Sequence, residues 1–209
     1  VLPLPEAMAL HAITQMASNG WRAVLWVRYV RIGAAMWFLS GCACAFVLWS
    51  ILSYVPDKAT ALILLGLSPF VVRVIPQAWR PNPDRLTHGL GYGGASMSLM
   101  LLAGVSGPLI DTYFLGGKLD RREIVATKAI CQVVGHGAKL LYFGGLVAGA
   151  AVIDPVMAGL AIAASIAGTS LARPVLERLS EHQFRTWTGW IITAIGCAYL
   201  VHGTLVMIQ

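Results

Sequence analysis

"ATKAICQVVGHGAK", residues Ala126 to Lys139, places two lysines, a glutamine, a histidine and a cysteine between strongly apolar stretches. The chain around it is no ordinary soluble domain. Of its 209 residues, 57% are hydrophobic and only 11% charged, whereas soluble proteins carry about 25% charged residues. Apolar runs near the roughly 20 residues that a bilayer core requires recur from end to end. The composition reads as an all-α polytopic membrane protein, and the quoted stretch as a polar stripe on one of its helices.

At ~100° per residue, Lys128, Gln132, His136 and Lys139 fall within an arc of roughly 80°. A charge at the centre of a spanning helix costs about 2.5–3.5 kcal/mol on insertion scales, so it normally faces a cavity or a partner. The plainer reading has Lys128 and Lys139 snorkelling to the interfaces and Gln132 tying helices together. A second copy favours the cavity. "EAMALHAITQMASNGWR" (Glu6–Arg22) lies over "EIVATKAICQVVGHGAK" (Glu123–Lys139) at a constant offset of 117 residues. Six of seventeen positions are identical: Glu6/Glu123, Ala9/Ala126, Ala12/Ala129, Ile13/Ile130, Gln15/Gln132 and Gly20/Gly137. His11 faces Lys128, Asn19 faces His136 and Arg22 faces Lys139, so His11, Gln15, Asn19 and Arg22 repeat the stripe.

Hydropathy divides the chain into segments at about Leu4–Val27, Ile32–Val55, Ala59–Trp79, Leu86–Gly117, Glu123–Leu146, Val147–Leu171 and Phe184–Met207. The fourth is glycine-rich and broken at Gly104-Val105-Ser106-Gly107-Pro108. If all seven cross the bilayer, the basic loops show no sidedness. If the fourth enters and leaves by one face, Arg28, Arg31, Arg80, Arg85, Lys118, Arg121, Arg122, Arg173, Arg178 and Arg185 share a side, and Lys58 alone lies opposite. That asymmetry follows the positive-inside rule. A re-entrant hairpin at membrane depth also implies a polar cavity around its break. With three crossings between the matched helices, the two copies run in opposite directions. The expectation is two inverted repeats, 1–85 and 86–209, an architecture of secondary transporters. The hairpin that opens the second repeat has no counterpart before Val1, which suggests a truncated or incompletely represented N-terminus.

The stripe's chemistry suits an anion. Lys128, Lys139 and Arg22 are cationic, Gln15, Gln132 and Asn19 carry amide donors, and Gly20, Gly104, Gly107 and Gly137 let backbone N–H groups approach a ligand. Gly137 is also the expected helix break within the motif. Asp111, the acid of the hairpin, is a candidate coupling group, the alternative being a pair with a stripe lysine or a helix cap. The formal charge of +6 and pI near 9.4 come from dispersed segment-end residues. They form no nucleic-acid patch. Cys42, Cys44, Cys131 and Cys197 lack metal-ligand spacing and read as buried free thiols, with no cofactor or metal expected.

"GVSGPLI", the "EIVATKAI" helix and "AGTSLARPVLERLSEHQFRTWTGWIITAIGCAYL" together resemble the sulfite exporter TauE/SafE family. Members of that family are similar in having two repeats, each with a glycine-rich opening and a helix bearing an Ala-Thr pair, Ala126-Thr127 here. Gly168, Leu171, Ala172, Arg173, Leu179 and Arg185 match the pattern of the family's final hairpin. The first copy departs from it, with Ala9-Leu10 at the Ala-Thr position. The resemblance implies ion-gradient-coupled transport of sulfite or organosulfonates, with no enzymatic activity, and a place in the bacterial cytoplasmic membrane. Thr127 joins the substrate-binding candidates on that ground. The expected partners are the small anion and the lipid bilayer, with homodimerisation left open. Two other classes remain: a scaffold or half-transporter completed by dimerisation, and a membrane redox or metal protein using His11, His136 and the cysteines.

Overall fold

The computed structural model describes residues 4–53, 57–74, 81–104, 106–143 and 154–208. The expected segment limits at Val55, Trp79, Leu146 and Val147, together with Arg80 and Val105, lie outside the described residues, as do the side chains of Glu6, Lys58 and Pro108. Eight α-helices are described: α1 (Leu4–Leu25), α2 (Ile32–Leu52), α3 (Lys58–Val74), α4 (Leu86–Ala103), α5 (Gly107–Leu115), α6 (Arg121–Leu141), α7 (Pro155–Arg178) and α8 (Glu181–Ile208). A 3₁₀ turn at Val27–Tyr29 links the first two, and no strand occurs among the described residues. Among the described residues, three helices, α2, α7 and α8, are long and apolar enough to cross a membrane.

Helix starts follow capping chemistry rather than hydropathy. Asp120 accepts from the backbone N–H of Arg122 and Glu123, and Glu123 accepts in turn from the backbone N–H of Asp120. This reciprocal cap starts α6 at Arg121, two residues before the expected Glu123. Ser180 and Gln183 bond reciprocally in the same way and start α8 at Glu181 rather than Phe184. Asp154 caps α7, with Pro155 at its first position. Exposed Asp57 accepts from the Thr60 hydroxyl at 2.6 Å and its backbone N–H at 2.9 Å, and these bonds hold its carboxyl below the usual range. The break between α4 and α5 falls at the expected place: Gly104 closes α4 in the left-handed conformation at φ 76°.

Helix pairs close on small residues, as in membrane bundles where lipid offers no hydrophobic drive between helices. α2 and α4 run parallel, with Gly41 against the backbone of Leu90 and Gly94, Gly89 against Trp37, and Gly93 against Phe38 and Cys42. The Cys42 thiol donates to the Gly93 carbonyl at 3.3 Å, and Trp49 Nε1 donates to Ser98 at 2.9 Å. α3 and α8 run antiparallel: Gly66 meets Leu200 and the Gly196 carbonyl, while Gly196 meets Pro69, Phe70 and the Gly66 carbonyl. α6 sits centrally, against α1, α2, α4 and α5.

One end of the bundle collects the basic turns. The two feet of the α4–α5 hairpin meet there, with Gly116 and Gly117 against Pro81 and Pro83. The Tyr113 hydroxyl donates to the Pro83 carbonyl at 3.3 Å. Arg31 pairs with Asp84 and Glu123, and Arg121 with Glu181. Arg185 reaches from α8 to donate to the carbonyls of Leu115 and Leu119 at 2.7 and 2.9 Å. Each such charged-donor bond contributes about 1.5–3 kcal/mol. Both bonds are only part-buried, which discounts their sum, so Arg185→Ala should lower stability by about 2–4 kcal/mol, read as an earlier midpoint of thermal unfolding in detergent. A midpoint equal to that of wild type would show that the clamp contributes nothing.

Candidate functional site

α1 and α6 carry the two stripes and cross antiparallel. A Cβ placed on Gly20 would lie 3.9 Å from Val133, and one placed on Gly137 would lie 3.7 Å from Met16. These contacts are reciprocal, because Met16 and Gly20 correspond to Val133 and Gly137 at the 117-residue offset. α6 runs unbroken through Gly137. The expected break there is corrected: Gly137 serves close helix approach rather than interruption.

The antiparallel crossing sorts the stripe residues into two groups. At one end, Arg22 and Lys128 line a cavity of about 310 Å³, together with Trp26, Asp111, Thr169 and Arg173. Lys128 forms an ion pair with Asp111. Arg173 pairs with Glu177 at 3.1 Å and lies over the Trp26 ring at 5.5 Å. Arg22 differs: it donates to Asn19 Oδ1 at 2.8 Å and forms no ion pair among the described residues, and Asp111, on the same cavity, is the carboxylate that faces it. Asn19, fully buried, in turn donates to the Gln15 carbonyl and side-chain oxygens at 2.9 and 3.2 Å. Gln15, Asn19 and Arg22 therefore form a hydrogen-bonded chain along α1. Asp111 and Thr188 also line a second cavity of about 240 Å³, shared with Gly107, Ile191, Ile192, Ile195 and Tyr199.

At the other end, Lys139 lies 1% exposed. Its Nζ is 3.0 Å from His11 Nδ1 and donates to the Gly104 carbonyl at 2.9 Å. The His11 and His136 rings stand edge to face, 5.5 Å apart, and buried His136 Nδ1 has no hydrogen-bond partner among the described residues. Two further candidates lie elsewhere. Gln132 lines a small cavity of about 10 Å³ with Cys42 and Cys131. The fully buried Thr127 hydroxyl accepts from the Arg31 backbone N–H at 3.0 Å, which ties down the turn after α1. Cys42 and Cys131 are buried, but Cys44 and Cys197 are exposed, because they face outward from α2 and α8. Among the described residues, no group of three or more His, Cys, Asp or Glu side chains is placed to hold a metal ion.

Trp26, Thr169, Arg173 and Thr188 line the larger cavity without having been read as site residues. Arg173 counted as a membrane-flanking cation and as a match to the family's final hairpin, not as a ligand, and the threonines carry no period that marks them. Ser18 and Thr169 share a hydrogen bond at 2.8 Å, so α7 meets the stripe helix α1 at the cavity wall.

The sequence model of the family described as "Sulfite exporter TauE/SafE" matches residues 1–199 of the 209. The chain belongs to this family. The resemblance read from the glycine break and the final hairpin therefore holds, and with it the assignment to an integral membrane protein of a transporter family. No curated protein and no solved structure matches the chain.

Proposed function

We propose that this TauE/SafE member is a secondary transporter for a small sulfur oxyanion or organosulfonate, coupled to an ion gradient across a bacterial cytoplasmic membrane. The observation that carries the reading is Arg22. It is a cation on a polar stripe, in a cavity it shares with Lys128 and with one carboxylate, Asp111, which is paired with Lys128, so the two cations there have a single counter-charge. An entering anion supplies the missing charge, and a guanidinium presents paired donors that suit the oxygens of a sulfite or sulfonate group. Ile124, Val125, Leu176 and Phe184 also line this cavity, and the isoleucines of the neighbouring one lie beyond Asp111. The cavity volume is about 310 Å³. An organosulfonate with a short carbon tail therefore suits it as well as sulfite.

Two inverted repeats, 1–85 and 86–209, form the transporting unit in this reading. Supporting it, α1 and α6 cross antiparallel through matched residues. α3 and α8 also cross antiparallel, and α1 meets α7 as α6 meets α2. The meeting of Gly116 and Gly117 with Pro81 and Pro83 supports a re-entrant path for α4–α5. A half-transporter completed by a second copy is the other reading. It is favoured by α7, which exposes Val156, Leu160, Leu171 and Val175 and, among the described residues, has no crossing like that of α2 with α4.

The test is ligand stabilisation of the purified protein. Sulfite or methanesulfonate at 100 times its dissociation constant should add about 2.7 kcal/mol, seen as a rise in the unfolding midpoint that chloride at equal ionic strength does not give. Midpoints unmoved by either anion up to tens of millimolar would remove the anion site.

A further inference from the structure

We propose that His11 on α1, with Lys139 and His136 on α6, is the proton-binding site that couples anion movement to a pH gradient, one proton travelling with each anion. The proposal rests on the transporter reading above and assigns its coupling ion. It also moves that role away from Asp111, whose carboxylate is committed to Lys128 beside the anion cavity.

The geometry carries the argument. The 3.0 Å contact between Lys139 Nζ and His11 Nδ1 has room for one proton between its two nitrogens, whichever of them holds it. A second proton, placed on His11 Nδ1, sets two donors face to face and breaks the contact. Lys139 also holds the Gly104 carbonyl at 2.9 Å, at the left-handed turn that ends α4. Protonation therefore bears directly on the left-handed Gly104 turn between α4 and α5. His136 Nδ1, buried and without a partner among the described residues, offers a further nitrogen for the same proton.

The surroundings make the added charge costly unless an anion accompanies it. The charged and titratable groups on the adjoining elements are mostly cations or thiols. On α1 there is Arg22, and on α6 Arg121, Arg122, Glu123, Lys128 and the Cys131 thiol. α5 bears Asp111 and Tyr113, α2 the Cys42 and Cys44 thiols, α4 His88 and Tyr92, and α7 Arg173 with its partner Glu177, and Arg178. Among the described residues no carboxylate pairs with Lys139, His11 or His136. A buried positive charge without a counterion is strongly disfavoured. An anion held between Arg22 and Lys128, at the far end of the same two helices, lowers that cost. Anion and proton then favour each other's binding by reciprocal linkage. The balance is simple: one N–H bond forms with a proton from the acidic side and breaks to release it on the other.

The test uses proteoliposomes and ³⁵S-labelled sulfite, with protein-free vesicles setting the background. Sulfite itself takes up a proton, so the ratio of gradient-driven uptake to sulfite/sulfite exchange is compared between proteins. In wild type, an imposed pH gradient should drive accumulation, and nigericin should abolish it. In His11→Gln and His136→Gln, exchange is slowed but persists, and the ratio falls at least tenfold. Lys139→Arg keeps the donor geometry but cannot release a proton, so its ratio should fall as far. A ratio equal to that of wild type in all three variants overturns the proposal. So does wild-type accumulation that survives nigericin, which decides the matter even where a variant is not recovered folded. A wild type that exchanges no sulfite overturns the transporter reading beneath it, a result distinct from exchange that ignores the gradient.

Discussion

Arg22→Gln should reduce affinity for sulfite by roughly 100-fold while leaving the protein folded. Arg22 forms no ion pair among the described residues, so its removal strands no carboxylate. What is lost is a charged, paired donor to the anion, about 3 kcal/mol for a desolvated contact of this kind, which is the stated 100-fold. Arg22→Lys should recover only part of this, because an ammonium keeps the charge but not the planar fork. Lys128→Gln makes the useful contrast. It leaves Asp111 without its partner at a site where the two side chains are 23% and 16% exposed. The expected destabilisation is about 2 kcal/mol, between values for surface and buried pairs. Adding Asp111→Asn should restore that stability without restoring affinity. Titration of purified variants with labelled sulfite, paired with thermal unfolding, separates the two effects. Equal affinity in wild type and Arg22→Gln would take Arg22 out of the site.

Gly93→Val should prevent recovery of folded protein. A Cβ at position 93 would collide with the Phe38 carbonyl and crowd the Cys42 backbone nitrogen, and neither main chain can move aside as a flexible side chain would. Overpacking a tight contact costs about 1–3 kcal/mol even where side chains can adjust, and here a backbone crossing must open. The same step would pull the Gly93 carbonyl from the Cys42 thiol and disturb the Trp49–Ser98 bond further along the crossing. Gly91→Ala is the control, since nothing lies within 4 Å of its Cβ position. It should be neutral or slightly stabilising, as alanine replaces glycine in a helix. Monodispersity on size exclusion in detergent reads both outcomes. A monodisperse Gly93→Val with an unchanged unfolding midpoint would mean that the α2–α4 crossing is looser than its geometry.

Much of this arrangement could be read from the residues because membrane chains write charge sparingly. The alignment of Glu6–Arg22 on Glu123–Lys139 named the helices that cross, and the Gly104–Pro108 break fell where α4 gives way to α5. Helix ends were less legible. Hydropathy weighs side chains, whereas Asp120–Glu123 and Ser180–Gln183 set their ends through backbone hydrogen bonds. Gly137 was misread because a glycine that permits a break and one that admits a neighbouring helix look alike in one dimension. The division of the stripe was not legible at all. Only the antiparallel crossing puts Arg22 with Lys128 and His11 with Lys139, and only packing shows that Thr127 is already occupied by the turn after α1.

The central claim, that a small sulfur oxyanion crosses the membrane by way of Arg22 and Lys128, is tested most directly by counterflow. Proteoliposomes preloaded with unlabelled sulfite should take up external ³⁵S-sulfite transiently with wild-type protein. That uptake should be suppressed by external methanesulfonate and fall to the protein-free level with Arg22→Gln. Counterflow absent from folded wild-type protein, or undiminished in Arg22→Gln, would contradict the account.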